Sequence, residues 1–298
     1  MDEAKKFLRR LYQQGKSPLQ NKSMNHNCQL GNFARVREAI GTDALEEIKK
    51  SSLGFMRKLN DSDYVWSTKT EYFLFTCQLA IQNEYEIWVA IGGQPIRFSL
   101  YDFAKITGLN TDAMRTKDCE ADYTSFWTKL GVPHGVRPKY DELAKCFGRC
   151  PGWDLPEQKM LGMLCILHMS IHGVHHNSRI PLETAKRVFK DEDIADYPWG
   201  RVAFKSLIDG VKIVQYEGSS YTVNGCVHAL LIWAYESITV FGERFGKVLQ
   251  PNEISFLRCG GTRTCEDLDK VISKEIEEHG EVRVRRMIMK PLEEIYPT

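Results

Sequence analysis

Apolar positions along the chain recur at two different periods, and the changes of period mark most of the elements the sequence predicts. Leu8 and Leu11 fall at helical spacing within a basic opening, so residues 1–25 read as an amphipathic basic arm. From Thr42, the positions Leu45, Ile48, Met56 and Leu59 repeat as a helix does, with small residues at Ser51 to Gly54 that favour a break. Tyr85, Ile87, Val89 and Ile91 alternate instead, Gly92-Gly93 supplies a tight turn, and Ile96 and Phe98 follow, which predicts a β-hairpin. Ser99 then stands as an N-cap with Asp102 as its capping-box acid and Phe98 and Phe103 at the staple positions. A short helix therefore starts at Leu100 and stops at Gly108, where Leu109 can fold back onto Phe103.

Glycine and proline interrupt residues 116 to 156 (GVPHGVRP, CPGWDLP), which predicts a loop-rich connection over 119–156 between a first helical half, 26–118, and a second, 157–298. The second half opens with an apolar helix over 157–172, followed by helices over 182–189 and 199–209. Val211 to Tyr216 and Tyr221 to Val223, separated by Glu217-Gly218-Ser219-Ser220, read as a second hairpin. Val227, Leu230, Leu231, Ala234 and Ile238 give a long helix that Gly242 closes. The fold class expected is mainly α (α+β), a helical domain with short β-hairpins. The order of elements over 181–224 is that of a winged helix.

Composition narrows the class. Hydrophobic residues make up 43% of the 298 and charged residues 27%, which places the chain among folded globular proteins. The longest apolar stretch, Met160 to Ile171, is shorter than the ~18 residues of a bilayer crossing, and no secretory signal opens the chain, so no membrane partner is expected. Nine cysteines at irregular positions argue for free thiols in the reducing cytosol or nucleus. A net charge of +1 means that any nucleic-acid site must arise from local clustering of the 40 lysines and arginines.

Three stretches, IRFSLYDFAKITGLNT at 96–111, YPWGRVAFKSLIDGVK at 197–212 and NGCVHALLIWAYESI at 224–238, carry a resemblance. From about Cys28 to Val240 the chain resembles the plant domain of unknown function found beside Ulp-type SUMO-peptidase domains in Mutator-like transposon genes, with a weaker likeness to the plant mobile domain. The resemblance implies a transposon-derived plant protein working in the nucleus. One branch of that family, the VANC anti-silencing proteins of VANDAL transposons, implies binding of short double-stranded DNA motifs. No His, Asp and Cys signature of the peptidase follows residue 240, so the chain reads as the recognition part.

The expected function is accordingly sequence-specific binding of duplex DNA, and the candidate contacts are cations. In the arm these are Lys5, Lys6, Arg9 and Arg10; around the first short helix, Arg97, Lys105, Arg115 and Lys117, with Arg97 alternatively paired to Asp102. In the winged-helix reading, Arg201 and Lys205 lie one turn apart on the groove helix with Lys212 beyond, the alternative being a solvated face on an ordinary helix. In EVRVRRMIMK, Arg283, Arg285 and Arg286 form the basic face of a strand or an exposed solubilising edge. Phosphate contacts of this kind supply affinity, while base-edge contacts would have to supply sequence information. Cys165, His168, His172, His175 and His176 match no established zinc module and mark a buried helix emerging into a polar loop. The remaining cysteines read as buried thiols. G-x-S-x-G, H-E-x-x-H, Walker-A and dinucleotide glycine patterns are absent, and Gly242-x3-Gly246-Lys247 falls short of a phosphate loop, so neither catalysis nor a cofactor or small-molecule substrate is expected. The rival function is a protein-interaction module recruiting chromatin or SUMO-pathway factors, which the near-neutral charge favours.

Overall fold

The computed structural model describes residues 9–13, 17, 23–54, 66–81, 83, 85–113, 122–133, 135–190, 194–195, 197–212, 219–248, 259–261 and 266–285. Helix dominates, as the periodicity predicts. Strand β1 (Ser23–His26) leads into helix α1 (Phe33–Lys50), which begins earlier than its apolar repeat suggested and bends at Gly41, whose φ of 78° is non-helical. Helix α2 (Thr68–Thr76) is capped by the Ser67 side chain, and the predicted hairpin follows as β2 (Glu86–Ile91) and β3 (Gln94–Ser99), paired antiparallel with Val89 opposite Ile96. Helix α3 (Leu100–Thr107) carries the foreseen Ser99/Asp102 capping box and ends on Gly108 at φ 71°. The expected loop-rich stretch holds two short helices, α4 (Thr124–Leu130) and α5 (Tyr140–Ala144), and buries Phe126 and Trp127.

Helix α6 (Leu155–Ile166) starts from an Asp154/Glu157 capping box with Pro156 in its first turn, where a missing N–H costs nothing, and runs on as a π-helical turn over Leu167–Ile171. It lies along α1. Gly162 makes the approach close, since a Cβ there would sit 2.6 Å from Ile48 Cδ1 and 2.8 Å from Ile40 Cδ1. Helix α7 (Leu182–Ala185) precedes α8 (Trp199–Lys212), then come strand β4 (Ser220–Val223), helices α9 (Val227–Ser237) and α10 (Thr239–Phe245), the antiparallel pair β5 (Gly246–Val248) and β6 (Cys259–Gly261), and helix α11 (Leu268–His279). One hydrophobic core runs from Met24 through α1, the hairpin, α6, α8 and α9 to Val282.

Two expectations need correction. Of the hairpin that completed the winged-helix order over 181–224, Val211 and Lys212 belong to α8 instead, where Val211 continues the buried stripe of Leu207 and Ile208, and residues 213–218 lie outside the described residues. Strand β4 pairs in parallel with β1 instead, Tyr221 opposite Met24, which lets both bury their side chains. The long helix from Val227 breaks at Ile238, whose φ and ψ of −105° and 105° are extended, and Gly242 lies inside α10.

The three sequence blocks meet in this core. Phe98 and Phe103 of the first, Phe204 of the second and Trp233 of the third form one aromatic cluster, with Phe98 5.1 Å from Trp233, 5.7 Å from Phe204 and 6.4 Å from Phe103 between ring centres. Gly200 donates its N–H to Asn110 O at 2.8 Å, and a Cβ there would meet Thr111 Cγ2 at 2.6 Å. Gly225, at φ 84°, lies against α8, where a Cβ would meet Leu207 Cα at 2.4 Å. The blocks are the places where separate parts of the chain cross at contact distance.

Candidate functional site

The site grows from the hairpin. Leu79 donates to Trp88 O and Ala90 donates to Cys77 O, both at 2.8 Å, so a strand-like segment at 77–80 lies along β2. Residues 9–11 add on its far side, through Leu11 N to Gln78 O and Ala80 N to Arg9 O, both 2.8 Å. Among the described residues the result is an antiparallel patch in the order 9–11, 77–80, β2, β3, with β3 at its edge.

Antiparallel geometry fixes what that edge presents. A residue's N–H and C=O point to the same neighbour, and successive residues alternate between neighbours. Trp88 and Ala90 bond toward 77–79, so they and their partners Arg97 and Pro95 are the non-hydrogen-bonded pairs of the hairpin. Arg97 therefore turns its N–H and C=O outward from the sheet, as Pro95 turns its C=O. Ser99, next in the same alternation, gives its N–H to Asp102 Oδ2 at 2.8 Å.

Opposite this edge stands the segment around Val284, joined to Ile238 by a bridge in which Thr239 donates to Arg283 O at 3.1 Å and Arg285 donates to Ser237 O at 2.8 Å. Between the two lies a cleft of about 200 Å³, walled by Trp88, Arg97, Trp233, Ser237, Val284 and Arg285. Arg97 and Arg285 direct their guanidinium groups to no hydrogen-bond or ion-pair partner among the described residues. Asp102, also at the cleft, is buried and turned into its capping box. Burial raises its carboxyl above the usual range, offset in part by the Ser99 bonds, Arg97 and Lys105.

The other sequence candidates are distributed differently. Lys5, Lys6, Arg115, Lys117 and Arg286 lie outside the described residues. Arg9 is exposed, and Arg10 donates to Ala90 O at 3.2 Å on the far side of β2 from the cleft. Lys105 is exposed on α3, with no ion pair among the described residues. Arg201 donates from Nε to Asp112 O and from Nη2 to Thr111 O, both at 3.0 Å, which ties α8 to the end of the first block. Lys205 pairs with Asp209 at 3.1 Å, Lys212 donates to Asn83 O, and Arg283 pairs with Glu275 at 2.7 Å and Glu243 at 3.0 Å. The bond from Arg283 is what holds the Glu275 carboxyl below its usual range.

The histidine run serves the fold. His168 shares Nε2 with Ser178 O at 3.0 Å and His172 with Thr184 Oγ1 at 2.9 Å, while His176 faces Asp141 at 2.9 Å on the surface. Burial lowers the imidazole of His172 to about 4. Among the described residues no three His, Cys, Asp or Glu side chains are grouped to hold a metal. Cys28, Cys77, Cys146, Cys150, Cys165 and Cys226 are buried and free, as expected of structural thiols, and burial raises Cys77 to about 11.

Sequence reasoning found Arg97 and Arg285 as charges but missed the cleft they share with Trp88 and Trp233. One local signal was present: Pro95 inside an alternating run marks an edge strand, since proline cannot donate to a ladder.

The described residues thus form a mainly helical α+β domain with a strand edge beside an arginine-flanked cleft. Residues 75–210 match the family model described as Domain of unknown function (DUF1985), a span that takes in the first block and nearly all of the second. No curated protein matches the chain, and no solved structure does. No helix among the described residues is long and apolar enough to cross a membrane.

Proposed function

We propose that the chain is a non-catalytic protein-interaction module of a transposon-derived nuclear protein. The observation that supports this reading is the disposition of its cations: Arg201, Lys212 and Arg283 bond carbonyls and carboxylates of the chain itself and Lys205 pairs with Asp209 on the surface, while Arg97 and Arg285 line the cleft beside β3. A DNA-binding face needs many cations free to meet phosphates and displace counterions. A peptide-binding face needs a few, beside backbone groups and aromatic walls. Partners of the chromatin or SUMO-pathway kind fit this reading.

A second reading, sequence-specific binding of duplex DNA by an anti-silencing protein, is favoured by Arg97, Lys105 and Arg285, which have no ion-pair partner among the described residues. Salt titration of binding to a short duplex separates the two. The interaction module gives weak duplex binding, and Arg201→Ala and Lys205→Ala leave its salt slope unchanged. A steep salt response whose slope falls by about one with each substitution would establish DNA binding instead.

A further inference from the structure

We propose that the cleft between β3 and residues 284–285 takes an extended peptide bearing an acidic side chain, which adds as a further strand to the β3 edge that no described residue pairs. The proposal rests on the interaction-module reading and specifies its site and ligand class. Pro95 C=O and the N–H and C=O of Arg97 point outward from the β3 edge, both residues line the cleft, and an extended backbone is the ligand that offers matching groups at strand spacing. A nucleic acid has no such ladder.

The side chains select what that strand carries. Arg97 and Arg285 flank the cleft with two guanidinium groups that form no ion pair among the described residues, so a carboxylate between them gains charge-assisted hydrogen bonds. The acidic side chains nearby are engaged: Asp102 with Ser99, Glu86, which accepts from Trp88 Nε1 at 2.6 Å, and Glu281, which accepts from Gln94 Nε2 at 2.8 Å. Trp88 and Val284, both partly exposed, give apolar surface for the side chains that alternate with the acid. Pro95 keeps the ladder short, so the edge does not template indiscriminate strand pairing.

The test is fluorescence anisotropy with the full chain and a fluorescein-labelled peptide, Gly-Val-Glu-Val-Glu-Val-Gly. Lysine in place of both glutamates should weaken binding by about tenfold or more, and N-methylation of alternate peptide nitrogens should weaken it comparably by removing ladder donors. Arg97→Gln and Arg285→Gln should each cost about fivefold to tenfold with unchanged far-UV circular dichroism. Arg285 lies outside every regular element, so its variant keeps the test informative if Arg97→Gln perturbs the sheet. Peptide binding indifferent to both substitutions would overturn this site and leave the interaction-module reading standing. No binding of the glutamate peptide, with steeply salt-dependent binding of a duplex, would overturn both.

Discussion

Glu71 is the residue whose chemistry is most at odds with its surroundings. It lies on α2 at 0% exposure, and both carboxylate oxygens lack a hydrogen-bond partner among the described residues. Burial pushes its carboxyl up to about 8 from an ordinary 4.5, only partly offset by the Trp66 indole. His26 stands beside Trp66 and His228, and burial lowers His228 to about 3 and His172 to about 4. The consequences for stability have opposite signs. The folded state holds the Glu71 proton where the unfolded chain has lost it, so stability falls as pH rises from 4.5 through 8. The two histidines stay neutral when folded, so they withdraw stability as pH falls from 6.5 toward 3. Glu71→Gln should therefore stabilise the protein by about 4 kcal/mol more at pH 8 than at pH 4.5, read from urea unfolding. An equal effect at both pH values would contradict the buried-acid assignment. At this scale the sequence was least legible: nothing in TKTEYFLFT shows that Glu71 points inward, because the face of α2 is set by β1 and α9 from distant parts of the chain.

Elements form where local chemistry and packing agree. The Ser99/Asp102 cap, the Gly108 stop and the Gly92-Gly93 turn were legible because each is completed within a few residues. The parallel β1–β4 pair was not, since its partners lie almost two hundred residues apart and each strand alone is four residues long. Gly225 shows what the third block encodes: its N–H lies 3.1 Å from His172 O and 3.0 Å from Gly173 O, and a Cβ at Gly173 would meet Gly225 O at 2.5 Å. Three segments cross there with no room for a methyl group. Gly225→Ala should cost more than about 3 kcal/mol, through the left-handed φ and the overlap with Leu207, whereas Gly93→Ala meets no neighbour and should cost only its φ strain, about 1–2 kcal/mol. Equal thermal shifts for the two would show that the crossing tolerates movement.

Across the whole molecule, one core joins the parts that the sequence divided in two, because Phe98, Phe204 and Trp233 come from 96–111, 197–212 and 224–238 yet share a cluster. Near-UV circular dichroism and tryptophan fluorescence should therefore report coincident unfolding of the described body; two separated transitions would show that its halves unfold independently. The net charge of +1 was plain in the composition, but which cations remain available was not, since Arg283 meets Glu243 forty residues away and Arg201 meets carbonyls of 111 and 112. Under the interaction-module proposal, recognition centres on the edge of β3. The most direct measurement is amide hydrogen exchange at Arg97, with and without the glutamate peptide. Strand addition predicts that the Arg97 amide exchanges rapidly in the free protein and becomes strongly protected in the complex; an Arg97 amide equally exposed in both, with protection arising elsewhere, would contradict it.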